Sequence, residues 1–191
     1  MDFHTAFNDI STIPGKTPEA IFPVHAVDVV RALAPRRNKK WGSTARWNEV
    51  ADETGLYGEL AVQRYCGLSA EEASVAFEAG LAGDGGIDLE ISGIYYDVKS
   101  TRGKALKFKF SKWNAHRHQA DAVIFAYLQE IGPEVSVRLL GWGYREAIRP
   151  HLKDDGRCLV ARFSRLHRAG VIRPVTTLKP EETEVIQNHG Q

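Results

Sequence analysis

Apolar and polar positions follow two different periods along this 191-residue chain, and the changes of period mark its expected elements. Residues 1–18 are polar with scattered Pro and Gly, and read as a loosely attached arm. Between Ile21 and Leu33, Val24, Val27 and Val30, with Ala34 beyond, form a helical stripe whose expected stop is Pro35. The basic run Arg36, Arg37, Lys39, Lys40 then leads to Trp41. Leu56 and Leu60, and Tyr57, Ala61 and Tyr65, stand four apart, so Trp47 to Leu68 is predicted as a helix with Gly67 as its C-terminal stop. Gly55 and Gly58 fall inside it, and each costs about 1 kcal/mol relative to Ala. Close approach of the helix backbone to another element is the expected reason. Ser69 to Ala79 is expected as a second short helix, ending at Gly80.

The period then shortens to two. Ile87 to Ile91 alternates apolar and acidic residues as a half-buried strand does, Ser92-Gly93 is a two-residue turn, and Ile94 to Ser100 is the return strand. Lys104 to Phe110 alternates again, with Leu106, Phe108 and Phe110 expected in the core, and Ser111 to Gln119 is expected to be helical. Ala122 to Leu128 is a continuous apolar run, the pattern of a central strand covered on both faces. Val135 to Gly141 and Leu159 to Phe163 are further strands, with a short helix from Tyr144 to His151 between them. This order predicts an α/β fold, a mixed central β-sheet flanked by helices on both faces. One core of residues 41–175 is expected, with an N-terminal arm and helix over 1–40 and a C-terminal tail over 176–191.

Composition narrows the class. With 43% hydrophobic and 26% charged residues the chain is globular rather than disordered. It holds no apolar run of membrane-spanning length, no secretory leader is expected at Met1 to Ile10, and a cytoplasmic location follows as an expectation. Cys66 and Cys158 belong to no CxxC cluster, so each is expected to be a small buried hydrophobe. The net charge of +1 hides a segregation. Glu49 to Asp97 contains eleven acids and one base, Lys99 to His118 seven bases and no acid, and Gly156 to Pro180 six bases and no acid. Such blocks suit a protein that concentrates cations at one place and holds a polyanion beside it.

The acidic hairpin carries the chemistry. Asp97 and Lys99 project from one face of their strand, and Tyr96, Val98 and Ser100 from the other. With Ser92-Gly93 as the turn, Ile91 pairs with Ile94, Glu90 with Tyr95 and Leu89 with Tyr96, which sets Asp88 across from Asp97. Opposed carboxylates lie within about 5.5 Å at Cβ and destabilise a hairpin unless something offsets their repulsion. A hard divalent cation bound by oxygen ligands does so, with the Val98 carbonyl as a third ligand. Such a cation activates water and stabilises charge on a phosphodiester oxygen, while Lys99 positions the water or steadies the transition state.

Gly83-Asp84-Gly85-Gly86-Ile87-Asp88, a short hairpin, then Tyr96-Asp97-Val98-Lys99 resembles the PD-(D/E)XK nuclease superfamily. Glu59, within Gly58-Glu59-Leu60-Ala61, looks like the glutamate that many of these nucleases carry on the preceding helix. The resemblance covers roughly residues 42–145, and the family's proline is replaced by Ile87. It implies a restriction-endonuclease-like αβββαβ core and Mg2+-dependent hydrolysis of DNA, with Mn2+ able to substitute. Asp88 and Asp97 would then be metal ligands, Val98 the carbonyl ligand, Lys99 the catalytic lysine, and Glu59 an additional metal or water contact. The alternatives are a catalytically inactive nucleic-acid-binding module of the same fold, and a metal phosphoesterase acting on small molecules.

Arg102, Lys104, Lys107, Lys109, Lys112 and Arg117, interleaved with aromatics, are expected to contact the nucleic-acid backbone. Arg162, Arg165, His167 and Arg168 make a second candidate phosphate surface. His116 and His118, with His151 and His167 distant, are weak candidates for a metal site, and Gln119 for a phosphate contact. No membrane partner is expected, and a homodimer is compatible with cutting two strands.

Overall fold

The apolar run after residue 121 becomes the centre of a sheet. In a computed structural model, which describes residues 2–40, 46–74, 87–110 and 120–178, the chain is a mixed α/β protein. Its elements are α1 (Phe3–Asn8), β1 (Ser11–Ile13), β2 (Glu19–Phe22), α2 (Val24–Lys40), α3 (Arg46–Tyr65), β3 (Leu89–Ile91), β4 (Ile94–Thr101) and β5 (Lys107–Phe110). They continue with β6 (Ala122–Ile131), β7 (Glu134–Tyr144), α4 (Arg145–Ile148), β8 (Lys153–Asp154), β9 (Leu159–Arg162) and α5 (Phe163–Arg168). The six-stranded sheet runs β1-β2-β7-β6-β4-β3, with β4 and β6 parallel and the other pairs antiparallel. A smaller sheet runs β5-β9-β8.

Strand β6 is buried on both faces, as its composition predicts. Ala122, Ile124, Ala126 and Leu128 join Tyr96, Val98 and the residues of α1, α2 and α3 in one core. Val123 and Phe125 join Phe108, Phe110, Ile148, Ala161 and Leu166 in a second core on the opposite face. The expectation of helices on both faces is thus met only in part. Among the described residues, one face carries the long helices, and the other carries the small sheet with the short helices α4 and α5. Ser111–Gln119, expected to be helical, lies outside the described residues, as do 75–86 and 179–191.

The N-terminus departs furthest from expectation. Rather than a loose arm, it buries Ala6, Phe7 and Ile10, and β1 adds to β2, which pairs with β7. Arg64 of α3 holds the end of α1, donating from Nε to the Ile10 carbonyl at 2.9 Å and from Nη2 to the Asn8 carbonyl at 3.1 Å. Ile21 falls in β2 rather than in the predicted helix, because Pro23 separates the strand from α2. That helix then passes through Pro35 to Lys40. Burial of Val27, Val30 and Ala34 offsets the hydrogen bond that Pro35 cannot make. Neither cysteine is fully buried, and the two do not form a disulfide.

Helix α3 ends as its sequence predicts. Gly67 has φ +83°, its N–H donates to the Arg64 carbonyl, and the Leu68 N–H donates to the Gln63 carbonyl, the paired bonds of a Schellman stop. Ser69 and Glu72 then form a capping box that starts a helical turn at residues 70–74.

The two internal glycines of α3 differ. A Cβ at Gly58 would stand 1.9 Å from Ser100 Oγ, 3.2 Å from Ser100 Cβ and 3.3 Å from Val98 Cγ1, so the helix lies directly on β4 there. Among the described residues, a Cβ at Gly55 would only touch Glu59 Oε1 at 3.7 Å, and no close approach explains that glycine. Gly58→Ala should therefore lower stability by about 1–2 kcal/mol despite its better helix propensity. Gly55→Ala should raise it by up to about 1 kcal/mol. Adding Ser100→Ala to Gly58→Ala should recover much of the loss, because it removes the nearest atom. Urea denaturation of the four variants checks this, and simple additivity of Gly58→Ala and Ser100→Ala would refute the contact.

Candidate active site

The β3–β4 hairpin forms in the register its sequence predicts. Ile91 pairs with Ile94, Glu90 with Tyr95 and Leu89 with Tyr96. Ser92 and Gly93 have φ +52° and +77°, the two left-handed residues of a tight hairpin turn whose twist matches that of the strands. The ladder stops at Leu89, one residue before the acid. Instead of continuing it, the Asp88 N–H donates to the Tyr96 carbonyl at 2.8 Å, and its carboxylate accepts the Val98 N–H at 2.6 Å. The expected direct opposition of Asp88 and Asp97 thus gives way to a carboxylate turned onto the backbone of the next strand.

Alternation along β4 places the other groups. Val98 and Ser100 lie under Gly58 of α3, so Asp97 and Lys99 project from the opposite face. Lys99 Nζ is 2.5 Å from Asp97 Oδ1, an ion pair in which Asp97 is buried at 3% exposure. Glu59 follows Gly58 on α3 and is buried at 8%. Because β3 is an edge strand and ends at Leu89, groups from both faces of the sheet act on each other beside Asp88.

The charges are in conflict. Burial pushes the Asp88 carboxyl well above its ordinary value, the charges of Glu59 and Asp97 push it further, and Lys99 and the Val98 N–H oppose them. Burial works to lower the Lys99 pKa, but the charges of Asp97 and Asp88, the Asp97 hydrogen bond and Glu59 together outweigh it. The ammonium is therefore held charged above its ordinary value of 10.5. All four polar positions singled out in the sequence come within electrostatic reach of one another.

Asp88, just before β3, and Asp97 in β4 supply side-chain oxygens suited to a hard cation. The Val98 carbonyl leaves its strand on the same side as the N–H that meets Asp88, since both groups of a strand residue point to one neighbour. Among the described residues no group of three or more His, Cys, Asp or Glu side chains is arranged as a metal cluster. His151 ends a 3-10 turn and His167 lies in α5, and His116, His118 and Gln119 lie outside the described residues, as do Gly83 to Gly86, Lys112 and Arg117.

The basic candidates divide. Arg102 is taken up within the fold, with Nε on Thr54 Oγ1 at 3.0 Å, Nη2 on Glu53 at 2.8 Å and Nη1 on Glu130. It ties α3 to the ends of β4 and β6, a role its sequence position does not disclose. Lys104, Lys107 and Lys109 are exposed, and Phe108 and Phe110 between them are core residues, as their alternation predicts. No family model, no curated protein and no solved structure matches the chain.

Ionisation of Asp88 is expected to destabilise the fold. A carboxyl whose folded pKa lies above its ordinary 3.8 contributes stability below that value and loses it as pH rises through the folded pKa. Asp88→Asn should therefore melt higher than wild type at pH 8 in EDTA, and the difference should shrink toward zero as pH falls toward 4. A difference that is flat with pH, or negative at pH 8, would contradict the electrostatic account.

Proposed function

We propose that this chain is a divalent-metal-dependent nuclease that hydrolyses phosphodiester bonds in DNA, built on a restriction-endonuclease-like core. The observation that carries this reading is the Lys99–Asp97 ion pair on β4, beside an Asp88 whose ionisation is opposed by Asp97 and by Glu59. A cluster of carboxylates that resist ionising together suits a divalent cation, which removes the conflict by binding. The helix carrying Glu59, the β3–β4 hairpin and the apolar β6 beside it support the fold assignment.

Asp88 and Asp97 would hold Mg2+, or Mn2+ in its place, with the Val98 carbonyl completing the protein's contribution and Glu59 contacting the ion or its water. When bound, the ion supplies Lewis-acid stabilisation of a phosphate oxygen and a lowered pKa for water. Lys99 remains protonated and donates hydrogen bonds to an oxygen that gains charge in the transition state. Asp97 fixes the ammonium through the 2.5 Å contact, and Asp88 is held in place by the Val98 N–H. A second reading, a nucleic-acid-binding module without activity, draws on the lack of a three-acid cluster among the described residues.

Labelled linear, branched and circular DNA with Mg2+ or Mn2+ separates the two. Lys99→Ala should reduce cleavage by at least about 100-fold. Mg2+ should raise the melting temperature of wild type but leave that of Asp97→Asn nearly unchanged. Absence of cleavage in every substrate and metal would sink the nuclease reading.

A further inference from the structure

Two stretches picked out separately in the sequence, around Lys107 and around Arg162, become one surface. Strands β5 and β9 pair so that Lys107 is opposite Arg162 and Lys109 opposite Val160, while β8 sets Lys153 on the other side of Val160. Cross-strand partners share a face, so Lys107, Lys109, Lys153 and Arg162 all project outward and all are exposed. The inward face is apolar, with Phe108, Phe110 and Ala161 in the second core. Asp155, in the turn between β8 and β9, lies near enough to Lys109 for the lysine to help lower its pKa, after its hydrogen bonds from the Cys158 and Arg157 N–H groups. Neither Lys107 nor Arg162 has an ion-pair partner among the described residues.

Like charges directly opposite each other destabilise a sheet, and this one places a lysine against an arginine at the end of the β5–β9 pairing. A polyanion laid across the face offsets that repulsion. The surface also borders a cleft between α3 and β4, lined by Thr54, Ser100, Thr101, Lys107 and Lys109. Ser100 and Thr101 immediately follow Lys99 in β4, and the buried Ser100 hydroxyl has no hydrogen-bond partner among the described residues.

We infer that the outward face of β5-β9-β8 is a docking platform for the phosphate backbone of a nucleic-acid strand. What the platform delivers rests on the nuclease reading, whereas its binding does not. The separation of the two cationic stretches by about fifty residues hides the platform from the sequence, because only the pairing of β5 with β9 joins them.

The test is fluorescence anisotropy of the full chain with a labelled 30-base-pair duplex and its single strand, in EDTA, over a series of salt concentrations. Lys107→Ala/Arg162→Ala should weaken binding roughly tenfold at moderate salt and reduce the log–log salt slope by about two. The charge-conserving pair Lys107→Arg/Arg162→Lys should bind as wild type does, and Lys153→Ala alone should lower the slope by about one. Wild-type affinity and slope in the double alanine variant would overturn the platform, as would equal weakening by the charge-conserving pair. Competition by poly-glutamate as effective as that by DNA at equal charge would overturn the choice of nucleic acid. Because no divalent metal is present, a chain that never cleaves DNA still answers this test. Cleavage that persists alongside unchanged binding in the double alanine variant would sink the platform and leave the nuclease reading standing.

Discussion

Helix α3 lies on β4 with no room for a side chain at Gly58, where a methyl group would stand 1.9 Å from Ser100 Oγ. That contact fixes two things at once. It assigns the α3 side of β4 to Val98 and Ser100, and so sends Asp97 and Lys99 to the opposite face. It also holds Glu59, the next residue of the helix, against the same strand, near the place where β3 runs out. A helix shifted outward by one side-chain layer would carry Glu59 away from Asp88 and weaken its charge there. Among the described residues the arrangement leaves the Ser100 hydroxyl buried without a partner, a desolvation of about 1–3 kcal/mol.

The second constraint is electrostatic. Acids and bases are segregated in the sequence, and the fold uses them in three different ways. Arg102 is neutralised within the structure by Glu53 and Glu130 and serves as a clamp between helix and sheet. Lys99 is held among more carboxylates than it can satisfy, which leaves a net negative charge beside Asp88. Lys107 and Arg162 face each other on an exposed strand pair. The first balances locally, and the other two are imbalances of opposite sign, one buried and one exposed. In the proposed nuclease, a divalent cation would answer the buried imbalance and a polyanion the exposed one.

Ridding the hairpin of Asp88's ladder position also has a use. By accepting the Val98 N–H rather than standing square across from Asp97, the carboxylate gains a fixed orientation without any added side chain. In the proposed metal site this would be an advantage, because little conformational freedom would be lost when an ion bound.

Much of the local structure was legible in the chain. The Ser92-Gly93 turn, the three-pair register from Leu89 to Ile94, the Gly67 stop and the doubly buried β6 all follow from short-range patterns: residues that tolerate positive φ, and apolar periods of two or none. The neighbourhood of Asp88, Asp97 and Lys99 follows for the same reason, since a tight hairpin brings them together over a dozen residues. The anchored N-terminus, the role of Arg102 and the joining of β5 to β9 were not legible. Each depends on partners 28 to 56 residues apart or on strand pairings between distant segments, as in Arg102 with Glu130 and Arg64 with Asn8. Periodicity reports which face of an element is apolar and says nothing about which other element will cover it. That choice is made by the packing of the whole chain, and it decided where the cationic face lies and that Glu59 reaches the hairpin at all.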